Sequence, residues 1–415
     1  MLYFLKILTV KNAGFEIHDR GDCQLLSELI LEKTDESISY NTLRRFFGLD
    51  NFVKTSKSTL DTLARFNGYK NYVHYLAINP SEAYWTNKEN LYQLINEEPE
   101  EISKFINQTD LKNEHALDFM VSLCRELIYL EKTAVLEEVL KTDFFDSRSF
   151  TYSEILHFGN SVGIMIKTKP EIGKKLLLNS NFLKFVYCIY VDYSSLNGYY
   201  GDWSEFVIKN TSDIQLKCFA QAILQLKNYL NCKPVSFSNF IAIDTTKFHP
   251  ILRGRIDSIK ILSGVTASTN YYSELETVKM HGKNDILWDY FYEPIMVALL
   301  SRNFLLMEAI IHILSNKKIN TEYYQENNQK IYKLMCLIYT NRIDGTIKKV
   351  GNFENSMRES EFKYSYQEAL ALFVSVLNFH TDKINDTKHS QKFQQIAKKL
   401  NYPLFSNNYL VNYFA

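Results

Sequence analysis

The residues whose types and spacing best suit a chemical task lie in SYNTLRRFFG, residues 39–48. On a helix, Asn41, Thr42, Arg44 and Arg45 would share a solvent face. Arg pairs bidentately with guanine and Asn with adenine in the major groove. Hydroxyls and backbone N–H groups at a helix N-terminus hold phosphate. Tyr40, Lys54 and Lys57 complete the candidate nucleic-acid-binding set. Over residues 37–75 the bases are Arg44, Arg45, Lys54, Lys57, Arg65 and Lys70 against Asp50 and Asp61, six minus two, or plus four. Residues 1–80 as a whole carry ten bases and nine acids, so the positive charge is local. The plainer alternative pairs Arg44 and Arg45 with Glu28, Glu32, Asp35 and Glu36, surface ion pairs each worth under about 1 kcal/mol.

Several elements must position these residues. CQLLSELILEK (23–33) sets Leu25, Leu26, Leu29 and Ile30 on one helical stripe, and TDESI (34–38) is a polar turn. Ser39 then caps a short helix that Gly48 closes by accepting a positive φ. Ile38, Leu43, Phe46 and Phe47 would pack on Leu26, Leu29 and Ile30. LDNFVKTSK (49–57) reads as a loop, and STLD (58–61) as a capping-box variant opening a helix that stops at Gly68. NYVHYLAI (71–78) makes a fourth helix before Pro80.

With TLRRFFG at Thr42 to Gly48, STLDTLARFNGY at Ser58 to Tyr69 and an aromatic helix at Tyr72 to Leu76, residues 21–78 resemble bacterial helix-turn-helix domains. They are more closely similar to an N-terminal module of uncharacterised bacterial proteins. The resemblance implies a DNA-binding ancestry. The chain departs from the usual motif in its turn, five residues from Thr34 to Ile38 with no Gly where three or four with a Gly are customary.

From about residue 82 onward, long helical segments alternate with polar breaks. LDFMVSLCRELIYL (117–130) spaces Leu117, Met120, Val121, Cys124, Leu127 and Ile128 by threes and fours. SDIQLKCFAQAILQLKNYL (212–230) opens on Ser-x-x-Gln and SYQEALALFVSVLNF (365–379) on Ser-x-x-Glu, both capping boxes. Pro99, Pro170, Pro250 and Pro294 stand where first helical positions are expected. VSFSNFIAI (235–243) is the most strand-like run. Segments of this length joined by short turns suggest stacked hairpins of tetratricopeptide or HEAT type, although W-x-x-L-G-x-x-Y is absent.

The totals exclude several classes. Lys plus Arg and Asp plus Glu both number 47, so no electrostatic case for nucleic acid or an anionic membrane exists at whole-chain level. The six Cys form no C-x-x-C pair, which fits reduced thiols in a cytoplasmic protein. MLYFLKILTV lacks the basic region and cleavage site of a secretion signal. PIMVALLSRNFLLMEAIIHIL (294–314) is interrupted by Arg302, Asn303, Glu308 and His312 and reads as buried helix. No H-E-x-x-H, P-loop, dinucleotide fingerprint or G-x-S-x-G occurs, so no metal, cofactor or enzymatic activity is expected. Glu100 and Glu101 complement the helix starting at Pro99, and Arg253 and Arg255 in HPILRGR (249–255) read as a solvated face. YSSLNGYYGDW (193–203) suits a partner-binding loop, or a loop whose rings cap the core.

The expectation is therefore an all-α chain. A helix-turn-helix-like head (1–80) precedes an irregular helical-hairpin, tetratricopeptide- or HEAT-like superhelix (81–415). Its function would be that of a cytoplasmic DNA-binding regulator whose body takes a protein or peptide. A homodimer would bring paired heads to adjacent major grooves of double-stranded DNA. The alternative is a protein–protein interaction scaffold whose head no longer binds DNA.

Overall fold

A computed structural model describes residues 2–50, 53, 55–78, 91–92, 94–108, 116–147, 150–265, 284–315, 323–344, 367–382 and 386–415. Among them every regular element is helical; no strand occurs. The chain divides into two compact units, residues 1–97 and 98–415.

The first unit contains α1 (Leu2–Ala13), α2 (Arg20–Thr34), α3 (Tyr40–Phe47), α4 (Lys57–Phe66) and α5 (Tyr72–Ile78). Leu5, Cys23, Leu26, Ile30, Ile38, Leu43, Phe46, Leu63, Ala64, Phe66 and Tyr75 form one core. Helix α1 is an addition to the four expected elements. Asn67 fastens it to the end of α4, donating to the Thr9 hydroxyl (2.9 Å) and accepting from the Asn12 amide (2.8 Å). Leu25, expected on the buried stripe, is 54% exposed, because Cys23, Leu26 and Ile30 alone turn inward and Leu29 reaches the core only in part.

The cap of α3 is as the sequence indicates: Ser39 accepts from the Thr42 N–H and Gly48 closes the helix at φ +86°. Helix α4 starts earlier than expected. Ser56, not Ser58, is its N-cap, accepting from the Thr59 N–H at 3.2 Å. Asp61 is therefore free of the capping role and accepts from the Tyr72 N–H at 2.8 Å, which ties the start of α5 to α4.

In the second unit the helices are α6 (Pro99–Gln108), α7 (Ala116–Tyr129), α8 (Thr133–Val139), α9 (Phe144–Ser147), α10 (Tyr152–Thr168), α11 (Pro170–Lys175) and α12 (Ser180–Phe182). They continue as α13 (Tyr199–Asn210), α14 (Ile214–Leu230), α15 (Pro250–Leu262), α16 (Asn284–Ser301) and α17 (Phe304–Leu314). The last are α18 (Tyr323–Asp344), α19 (Gln367–Thr381), α20 (Asp386–Leu400) and α21 (Asn407–Val411). Neighbours in sequence pack as pairs: α7 on α8, α13 on α14, α15 on α16, α17 on α18, and α19 on α20. The pairing is not purely local. Tyr402 donates its hydroxyl to the Tyr193 carbonyl at 2.7 Å, the Leu404 N–H donates to the Leu230 carbonyl at 3.1 Å, and the Tyr413 hydroxyl donates to the Leu299 carbonyl at 2.8 Å. Repeats of a simple solenoid touch only their neighbours, so these returns set the body apart from a regular array.

Several local expectations fail for identifiable reasons. Asp213, whose carboxylate accepts from both the Gln215 and Leu216 N–H groups, caps α14 in place of Ser212. Residues 235–243 form no strand: a single 3₁₀ turn at Ser238–Phe240 buries Phe240 and leaves Ile241 74% exposed. The capping box at Ser365 and the stop at Pro80 lie outside the described residues. Pro99, Pro170 and Pro250 do begin helices, but Pro294 stands inside α16. Its ring removes the N–H that would bond the Tyr290 carbonyl. There α15 approaches so closely that a Cβ on Gly254 would sit 2.1 Å from that carbonyl oxygen. The apolar run 294–314 is split into α16 and α17 by Arg302 at φ 54° and the Asn303 cap. No helix of the described residues is long and apolar enough to cross a membrane.

Candidate nucleic-acid interface

The turn between α2 and α3 sets the interface. Where a helix-turn-helix customarily has Gly, Asp35 adopts φ 56° and its N–H donates to the Leu31 carbonyl. Asp and Asn tolerate this region better than other side-chain-bearing residues. Ile38 is buried at the far end of the turn, and the Ser27 hydroxyl donates to its carbonyl at 2.6 Å. Between them Glu36 reaches α4, accepting from both the Thr62 hydroxyl and the Arg65 guanidinium. The Thr62 bond, with Arg65 beside it, holds the Glu36 carboxyl below its ordinary value. The extra turn residues thus form a clasp between the turn and the following helix.

With α3 so placed, Leu43 and Phe46 are buried and Phe47 is half-buried; Asn41 and Arg45 are exposed. Thr42 is occupied at home, its hydroxyl 2.9 Å from that of Ser39 in the cap. Arg44 is half-buried and lies 3.6 Å from Asp50, while no ion pair engages Arg45 among the described residues. The alternative pairing of these arginines with Glu28, Glu32, Asp35 and Glu36 does not occur in that form: Arg44 turns to Asp50, and Glu36 is taken by Arg65. That last pair also withdraws Arg65 from the basic face. Lys57 is exposed on the first turn of α4, beside the Ser56, Ser58 and Thr59 hydroxyls. Lys54 lies outside the described residues.

Arg20 was not singled out in the sequence. Its guanidinium stacks 4.7 Å from the Tyr40 ring and donates to the Tyr40 hydroxyl at 3.1 Å. Tyr40 is thereby held between α2 and α3, and an exposed cation stands at the start of α3. The only sequence signal was the Asp19-x-x-Asp22 capping box, whose reciprocal bonds place Arg20 at the first helical position.

Two polar clusters in the second unit were considered as chemistry. Lys167 lies 3.0 Å from the Ser194 hydroxyl, a spacing that suits an activated hydroxyl. Both groups bond Asp192, as does Tyr199. Burial alone would raise the Asp192 carboxyl, yet Ser194, Lys167 and Tyr199 together hold it below its ordinary value. In the second cluster Arg255 donates to Glu293 (2.7 Å) and to the Tyr193 hydroxyl (3.0 Å), which donates to Glu293 (2.6 Å). Arg255 is 4% exposed, so it does not belong to the solvated face expected of it. The cavity beside Tyr193 and Ser194 is about 20 Å³, room for about one water. The stretch 193–203 is a loop only in its first part: Tyr193 lies in a 3₁₀ turn, Tyr200 and Trp203 on the first turns of α13, and all three rings are buried in the core. No cluster of three or more His, Cys, Asp or Glu suited to a metal occurs among the described residues.

Comparison with protein families, with curated proteins and with solved structures finds no match.

Proposed function

We propose that this chain is a DNA-binding regulator: the head reads double-stranded DNA through α3, and the helical-hairpin body takes a protein or peptide on its superhelical surface. The observation carrying this reading is the two-sided character of α3. Leu43 and Phe46 fix the helix to the core while Asn41 and Arg45 point to solvent. Arg44 on the same helix and Arg20 against Tyr40 stand beside them, suited to phosphate contact.

In a gel-shift assay with pooled genomic duplexes, binding is expected to weaken steeply from about 50 to 200 mM salt. Arg44→Ala with Arg45→Ala is expected to abolish the shift. No salt-sensitive binding by the unaltered chain would sink the proposal.

The scaffold reading is favoured by one observation: Asp50 and Glu36 take part of the head's positive charge. Under it the double variant leaves capture of a protein partner unchanged and DNA is never bound.

A further inference from the structure

The second unit carries a surface whose composition stands apart from the neutral chain. From the start of α20 onward, residues 386–415 hold Lys388, Lys392, Lys398 and Lys399 against a single acid, Asp386. Helix α20 buries Phe393 and Leu400 and turns Lys388, Gln391, Gln394, Gln395 and Lys398 to solvent. Spacings of three, four and seven place Lys388, Gln391, Gln395 and Lys398 along one side of the helix. Ten residues of helix put the two lysines about 15 Å apart along the axis.

Of the nearby acids, Asp386 on the first turn of α20 accepts from the Thr387 hydroxyl at 3.1 Å. Glu368 of α19 holds Lys399 at 3.1 Å, and Asp382 holds His389 at 3.2 Å. Beside the stripe runs an open groove of about 350 Å³, lined by Gln394, Lys398, Asn401 and Asn407 at its polar side and by Phe393, Tyr402, Pro403 and Phe405 at its apolar side. The bland explanation, lysines complementing the end of the helix dipole, accounts for Lys398 and Lys399. It leaves Lys388 in the first turn and the amide row unexplained.

We infer that this face of α20 is a second DNA-contacting surface that grips the phosphodiester backbone of a duplex without reading its sequence. Lys, Gln and Asn are typical donors to backbone oxygens. A protein partner fits the face poorly, since protein interfaces centre on apolar or aromatic anchors. Between residues 387 and 415 the one exposed large hydrophobic side chain is Val411, on α21 and not on α20. The inference depends on α20 alone and not on the reading of α3.

The test is fluorescence anisotropy of the full chain with a labelled duplex of arbitrary sequence, from low to moderate salt. Lys388→Gln with Lys398→Gln is expected to weaken binding about tenfold or more at 0.1 M salt and to flatten the log–log salt slope by roughly 1.8, two contacts at about 0.9 each. Lys184→Gln with Lys209→Gln, two exposed lysines elsewhere on the unit, removes the same charge and is expected to change neither quantity. Equal effects of the two pairs, no effect of the α20 pair, or no duplex binding by the unaltered chain would each overturn the inference. So would binding of polyglutamate, but not duplex, that the α20 substitutions abolish. Arg44→Ala with Arg45→Ala separates the two readings. If that variant binds like the unaltered chain while the α20 pair still weakens binding, the α3 reading fails and this one stands. Loss of binding in that variant with no effect of the α20 pair gives the reverse.

Discussion

At the scale of single residues, the informative side chains are the polar ones that the fold has committed. Arg255 and Glu293 are almost wholly buried, and each partner compensates the other's desolvation. Glu293→Met or Arg255→Met alone is expected to destabilise the body by about 3–5 kcal/mol, because the remaining charge loses its partner. Replacing both with Met is expected to cost much less than the sum. Urea denaturation of the four proteins in a double-mutant cycle measures the difference. Glu36 gives a pH signature of its own. Its folded-state value lies below the ordinary 4.5, so its contribution is complete above that value and disappears as pH falls through the folded one. Glu36→Gln is expected to lower the melting temperature of the head at pH 7 and to leave it level with the unaltered protein near pH 2. A constant difference between the two melting curves across that range would contradict the clasp.

The elements show what a linear pattern conveys and what it omits. Helix α3 was legible to the residue because its signals are local: Ser39 begins it, Gly48 ends it, and Leu43 and Phe46 repeat at helical spacing. Arg20 over Tyr40, Glu36 to Arg65, and Arg44 to Asp50 were not legible, since each depends on how separate elements pack. Pro294 is the clearest misreading. A proline before an apolar run signals a helix start, but the preceding turn of α16 is buried against α15 and continues regardless. Gly254 is the compensating feature on the facing helix. Gly254→Ala would press its Cβ into the Tyr290 backbone, where no rotamer change gives relief. It is expected to cost about 2–3 kcal/mol, at the upper end for overpacking. Gly264, at φ +73° with open space around it, provides the contrast. Alanine there is expected to cost only about 1–2 kcal/mol, from backbone strain. Chemical denaturation of both variants checks the order.

For the whole molecule, the equality of acidic and basic residues conceals two cationic surfaces, one on the head and one on α20, set among acids engaged in caps and ion pairs. Net charge averages over such local clusters, and the sequence reading singled out only the one that a motif marked. The division into units carries its own consequence. The head core runs from Leu5 to Tyr75 and is assembled from α1 to α5 and Ile38 of the turn between α2 and α3. Residues 1–97 expressed alone are accordingly expected to melt in one cooperative transition, as small single domains do. Within that fragment Leu43→Ala removes a fully buried side chain and is expected to cost about 2–5 kcal/mol. Arg45→Ala, on the exposed face, is expected to fall within about 0.5 kcal/mol of the parent. Thermal melts followed by circular dichroism give both numbers. A fragment that melts without cooperativity would mean that the head core is incomplete without the body. Equal losses in the two variants would mean that α3 does not sit with Leu43 inward, and the DNA-reading face would lose its structural basis.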